Sequence, residues 1–143
     1  MQNFDSAATR HLHDAALLHR SGRLPNADHL AGFAAECALK AILISFLGAH
    51  QTSGKPYSTI AGQKKDHGHL PGLWDEVKMV LNGRTGGPVF SGLLAHNPFI
   101  GWSVNDRYGD GSAVTAQILA ARLAAAQQIL GHLQNAKILG TLR

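Results

Sequence analysis

The chain has 143 residues, 45% hydrophobic and 15% charged, which is enough apolar material to bury a core within one domain spanning residues 1–143. Lys and Arg outnumber Asp and Glu by 13 to 9, giving a formal charge of +4; this permits an acidic partner such as RNA or a nucleotide without demanding one. A single cysteine, Cys37, excludes an intrachain disulfide; together with the lack of a signal-peptide pattern in MQNFDSAATR it predicts a reducing, cytoplasmic setting, and no charge-free apolar run reaches the roughly 18–20 residues of a membrane span.

In chain order, Phe4, Ala8, Leu12, Ala15 and Leu18 recur at helical spacing and predict a first helix over 4–20, closed by Ser21 and Gly22. The connection SGRL is so short that the next helix must run back beside the first. That second helix, PNADHLAGFAAECALKAILISFLG (25–48), opens with a proline suited to a first turn and closes with a glycine suited to the left-handed position past a helix end. It is apolar on several faces, so it must be covered on several faces, as the central helix of a bundle. Glu36 and Lys40 lie four apart on one of those faces and need each other if buried.

Residues 49–68 are polar, with no clean period, and read as a long mobile loop. Leu70, Leu73, Trp74, Val77, Val80 and Leu81 form an amphipathic stripe that predicts a third helix over 70–81, with Pro71 in its first turn and Asn82-Gly83 at its end. A turn and a short helix from Pro88 to about His96 follow, stopped by Pro98. In FIGWSVNDRYGDGS, the aromatics Phe99, Trp102 and Tyr108 are placed to pin an irregular connector onto the core. The final helix is predicted from Ser112, as N-cap, to Lys137. Its stripes, Ile118, Ala121, Ala125, Ile129 and Leu119, Leu123, Ala126, Leu130, Leu133, exceed what one neighbouring helix covers, so part of it is expected to face a second copy of the chain. No segment alternates with period two. The expected fold is therefore all-α: a bundle of four main helices plus a short one.

Four stretches in this order resemble the HEPN superfamily of helical domains: HDAALLHRSGRLPNA, then HLAGFAAECALKAIL with its Glu-x-x-Leu-Lys, then GHLPGLW, then WSVNDRY before the last helix. The resemblance covers nearly the whole chain. It implies a HEPN-like bundle that dimerises through its long helices, in a family whose members include ribonucleases with an Arg-x4-6-His motif, RNA- or nucleotide-binding modules, and partners of nucleotidyltransferases or antitoxins in toxin–antitoxin and defence settings. Arg107 stands where the motif's arginine belongs. Where the histidine belongs stand Ser112, Ala113, Val114 and Thr115, and the next histidine is His132. The departure favours a binding module over a catalyst.

The residues of interest follow from chemistry as well. Arg107 offers a planar fork for phosphate, and Tyr108 beside it a ring for a base; the alternative is a structural arginine paired to Asp106, Asp110 or Glu36. Asp106, Trp102, Glu36 and Lys40 complete the candidate binding set. His69 is the candidate to supply the missing imidazole in space, since active sites need geometry and not sequence order; the alternative is a loop-fixing histidine. His67 and His69 form His-x-His without a third ligand nearby, so neither a metal site nor a cofactor is expected. Three functions remain in play: a dimeric module binding RNA, a nucleotide or a partner protein; a metal-independent endoribonuclease using Arg107 and His69; and an accessory subunit of a nucleotidyltransferase.

Overall fold

The structure, a computed structural model, describes residues 2–82, 84 and 87–143. Helix α1 (Phe4–Arg20) starts where the Asn3 side chain accepts a hydrogen bond from the Ser6 N–H at 3.0 Å. Its Ala8 and Ala15 are fully buried, and such small side chains let α1 lie close against α2 (Leu24–Phe46). Helix α2 is the central element: thirteen of its residues, from Ala27 to Leu43, are buried. By length and composition α2, with Glu36 and Lys40 at its middle, reaches that of a membrane span, but 67% of the qualifying window is buried inside this fold.

The expected mobile loop contains a β-hairpin. Strands β1 (Tyr57–Ile60) and β2 (Gln63–Asp66) pair antiparallel around Ala61 and Gly62, both at positive φ (51° and 77°), the turn geometry that suits the twist of a two-residue hairpin. The fold is thus mostly helical but not purely all-α. No apolar alternation marks these strands because only Ser58 among their eight residues is buried and all of β2 is exposed.

Helix α3 (Gly72–Asn82) buries Leu73, Trp74, Val77, Val80 and Leu81, the stripe read from the sequence, but it begins after Pro71 and not with it. The end expected at Gly83 lies outside the described residues. Helix α4 (Pro88–Leu93) stops short of His96. The connector then forms a 3-10 turn, Val104–Tyr108. Phe99 and Trp102 anchor it in the core; Tyr108, 77% exposed, does not.

Helix α5 (Ala116–Leu139) is capped by Thr115, whose Oγ1 accepts from the Ile118 N–H at 3.1 Å, and not by Ser112, which is bound to Asp110. Leu119, Leu123, Ala125, Ala126, Ile129, Leu130 and Leu133 are all buried within the chain, leaving only Ile118 and Ala121 of the two stripes exposed. Because α5 packs on both α2 and α1, most of its apolar surface needs no second copy to cover it.

Candidate functional site

Three polar clusters decorate this frame. The first is the 3-10 turn. Ser103 and Asp106 cap it reciprocally: the Asn105 N–H donates to Ser103 Oγ at 3.1 Å and the Ser103 N–H to Asp106 Oδ2 at 2.8 Å. Asp106 is therefore committed to the backbone. The turn so fixed projects Arg107 and Tyr108 outward. Arg107 Nη1 donates to the Val104 carbonyl at 2.9 Å, and its guanidinium carbon sits 4.7 Å from the Tyr108 ring centre. Among the described residues no carboxylate lies within ion-pair distance of Arg107, so the structural pairing with Asp106, Asp110 or Glu36 is not made.

Trp102, expected among the binding residues, is instead a core anchor. Its Nε1–H donates to the Asp28 carbonyl at 3.2 Å, its ring stacks on His29 at 5.6 Å, and it fills the space over Gly32, where an added Cβ would fall 2.0 Å from the indole. At 1% exposure it is not offered to a ligand.

The second cluster centres on Glu36. One oxygen, Oε1, accepts from Lys40 Nζ at 3.1 Å and lies 2.9 Å from His69 Nδ1; the other accepts from the Leu70 N–H at 3.2 Å. Glu36 and Lys40 are 3% and 6% exposed, so their pairing inside α2 is the one the sequence suggested. It also ties the segment before α3 to the central helix. The His69 side chain is half exposed, with Nδ1 held by a carboxylate, the arrangement that orients an imidazole for proton transfer at Nε2. His69 is held by Glu36 of α2, and Arg107 by the Val104 carbonyl of its own 3-10 turn.

The third cluster, Ser58–His67–Glu76, joins the hairpin to α3. Ser58 Oγ is 2.7 Å from His67 Nε2, and His67 Nδ1 is 3.0 Å from Glu76 Oε1. His67 is fully buried and both ring nitrogens are engaged. Among the described residues no group of three or more His, Cys, Asp and Glu side chains converges as metal ligands.

Sequence reasoning passed over Asp28 and Arg122. They form a buried ion pair, Nη1 to Oδ2 at 2.8 Å, in which Arg122 also donates to the carbonyls of Pro98 (3.0 Å) and Ile100 (3.3 Å). Burial raises the Asp28 pKa, against the pull of Arg122, and its Oδ1 has no partner. The pair forms the floor of a cleft of about 390 Å³ whose rim includes Asp106, Asp110 and Ile118. A lone cation in the apolar first half of α5 and a lone anion in the first half of α2 were the available signal. Burial pushes the Cys37 thiol up to about 11, away from the thiolate that a nucleophile needs.

Comparison with known proteins finds no matching family model, no similar curated protein and no similar solved structure.

Proposed function

We propose that the chain is a HEPN-like helical module that binds single-stranded RNA or a nucleotide, with Arg107 on a phosphate and Tyr108 as a stacking platform for a base, and that it works as a homodimer. The observation that carries this reading is the Arg107–Tyr108 pair: an exposed cation with no carboxylate partner among the described residues, held over a ring that is 77% exposed, on a turn locked by its own cap. A guanidinium and an aromatic face side by side match a phosphate and a base side by side. The order of the four HEPN-like stretches supports the family, and the missing histidine after Arg107 supports binding without cleavage. For the dimer, the exposed small side chains Ala120, Ala121 and Ala124 on α5 leave a face on which another helix can approach closely.

The endoribonuclease reading has one specific observation in its favour, the carboxylate-held, half-exposed His69. It requires His69, or a histidine of a second protomer, to meet Arg107 at the reacting phosphate. Labelled single-stranded RNA, incubated with the protein in EDTA, separates the possibilities. The binding reading expects a shift without cleavage, weakened by Arg107→Ala, with the salt slope reduced by about 0.7 for the lost phosphate contact. Cleavage abolished by both Arg107→Ala and His69→Ala establishes the ribonuclease. Neither binding nor cleavage leaves the accessory role beside a nucleotidyltransferase or antitoxin and sinks the proposal.

A further inference from the structure

The hairpin cluster holds an arrangement that the RNA-binding reading does not use. Glu76 as a carboxylate is acceptor-only, so the proton between it and His67 belongs to Nδ1. In the neutral ring Nε2 then carries the lone pair, and the Ser58 hydroxyl donates to it at 2.7 Å. Donor directions thus run from serine to histidine and from histidine to glutamate, the order in which a hydroxyl is activated as a nucleophile. The opposite neutral tautomer is closed to this ring by Glu76.

Ser58 also lines a cleft of about 500 Å³, between the end of α2, the hairpin and α3, a size within the roughly 300–1,000 Å³ of small-molecule sites. Its walls include Leu47, Ile60, Met79 and Val80, and its one charged lining residue is Arg84. Arg84 lies across Gly48, where an added Cβ would meet the guanidinium. The cleft therefore pairs an apolar wall for an acyl chain with a cation able to stabilise an oxyanion.

We propose that Ser58, His67 and Glu76 form a serine-hydrolase triad acting on carboxylic esters with aliphatic acyl groups, with Arg84 stabilising the oxyanion. In the first half-reaction Ser58 Oγ attacks the carbonyl carbon while its proton passes to His67 Nε2. The ester C–O bond then breaks, the leaving alkoxide takes that proton as alcohol, and an acyl-serine remains. In the second half-reaction water attacks the acyl carbon, again losing its proton to His67, and the carboxylic acid leaves as Ser58 recovers its hydrogen. Glu76 holds the tautomer and stabilises the imidazolium. This site stands apart from Arg107, and neither reading depends on the other.

The test is covalent trapping. The full chain is incubated with diisopropyl fluorophosphate, which loses fluoride to an activated serine, and the adduct is mapped by mass spectrometry. One adduct on Ser58 is expected, absent in Ser58→Ala, with p-nitrophenyl butyrate hydrolysis lost in the same variant. Glu76→Gln, which keeps an acceptor oxygen and the side-chain shape, should slow labelling about 10²–10⁴-fold, and Arg84→Met should lower turnover about 10²-fold. No adduct on Ser58 in the folded wild-type protein overturns the proposal. So does an adduct whose rate Glu76→Gln leaves unchanged, since the hydroxyl would then react without its triad. Circular dichroism of each variant shows that the fold is retained.

Discussion

Arg107 and Arg122 stand on two elements that both pack against the central helix, and the fold uses them in opposite ways. Arg122 is 8% exposed and spends its donors on one carboxylate and two backbone carbonyls. Arg107 spends one donor on Val104 and rests its face on an exposed ring. The difference lies in the elements that carry them. Arg122 stands on α5 facing Asp28 of α2, so the packing of two helices brings opposite charges together in the core. Arg107 stands on a turn whose own acid, Asp106, is already engaged by the Ser103 N–H. One arginine holds the fold; the other is left for a partner.

The largest effect should come from breaking the buried pair. Arg122→Ala leaves Asp28 charged, buried and unpartnered, a loss of about 3–5 kcal/mol in denaturant unfolding. Replacing both members, as Asp28→Leu with Arg122→Met, should recover most of that, because apolar groups of similar volume carry no desolvation penalty. An Arg122→Ala loss under about 1 kcal/mol would show the pair to be solvated and would erase the contrast with Arg107.

Next comes the close approach of the connector to α2. Gly32→Ala puts a methyl 2.0 Å from the Trp102 ring, so the indole must move. Overpacking of this kind costs about 1–3 kcal/mol. The shift should appear as a lower melting temperature together with a red-shifted tryptophan emission. An unchanged emission spectrum would mean that Trp102 does not anchor the turn that carries Arg107.

Smaller again is the response to pH. Burial lowers the pKa of His11, His29 and His132 from the ordinary 6.5. Folded-state values below the unfolded one mean stability that is complete above pH 6.5 and is lost as the pH falls below it. The raised Asp28 acts with the opposite sign, gaining stability on acidification from its raised folded value down to the ordinary 3.8. The melting temperature should therefore fall between pH 7 and pH 5, and His29→Gln should flatten the slope. A melting temperature that rises over that interval would contradict the burial of these rings.

Much of the helical frame was legible because it rests on apolar period. The stripe Leu73, Trp74, Val77, Val80 and Leu81 is buried as read, and Glu36 pairs with Lys40 because two opposite charges four apart in so apolar a helix have few other partners. The hairpin was not legible. Its information lies in one turn, Ala61-Gly62, and one buried serine, with no hydrophobic alternation to announce it. The start of α5 shifted from Ser112 to Thr115 because Asp110 claims both the N–H and the hydroxyl of Ser112. Arg122 with Asp28, and Ser58 with His67 and Glu76, escaped for a different reason. Contacts between side chains nine or ninety-four positions apart are set by how helices and hairpin dock, which no local pattern encodes.

The smallest effect on stability belongs to Arg107. Arg107→Ala removes one hydrogen bond to a surface carbonyl and a contact with an exposed ring, and should change unfolding free energy by no more than about 0.5 kcal/mol. Its effect on RNA binding should be far larger than its effect on folding, whereas Arg122→Ala should lower binding only as far as it lowers the folded fraction. Tyr108→Ala sharpens the distinction further. Loss of a stacked base costs about 1–3 kcal/mol of affinity but leaves the salt slope untouched, because a ring neutralises no phosphate. If Tyr108→Ala and Arg107→Ala change the slope alike, the two side chains do not divide the work between base and phosphate, and the turn contributes to binding by shape alone.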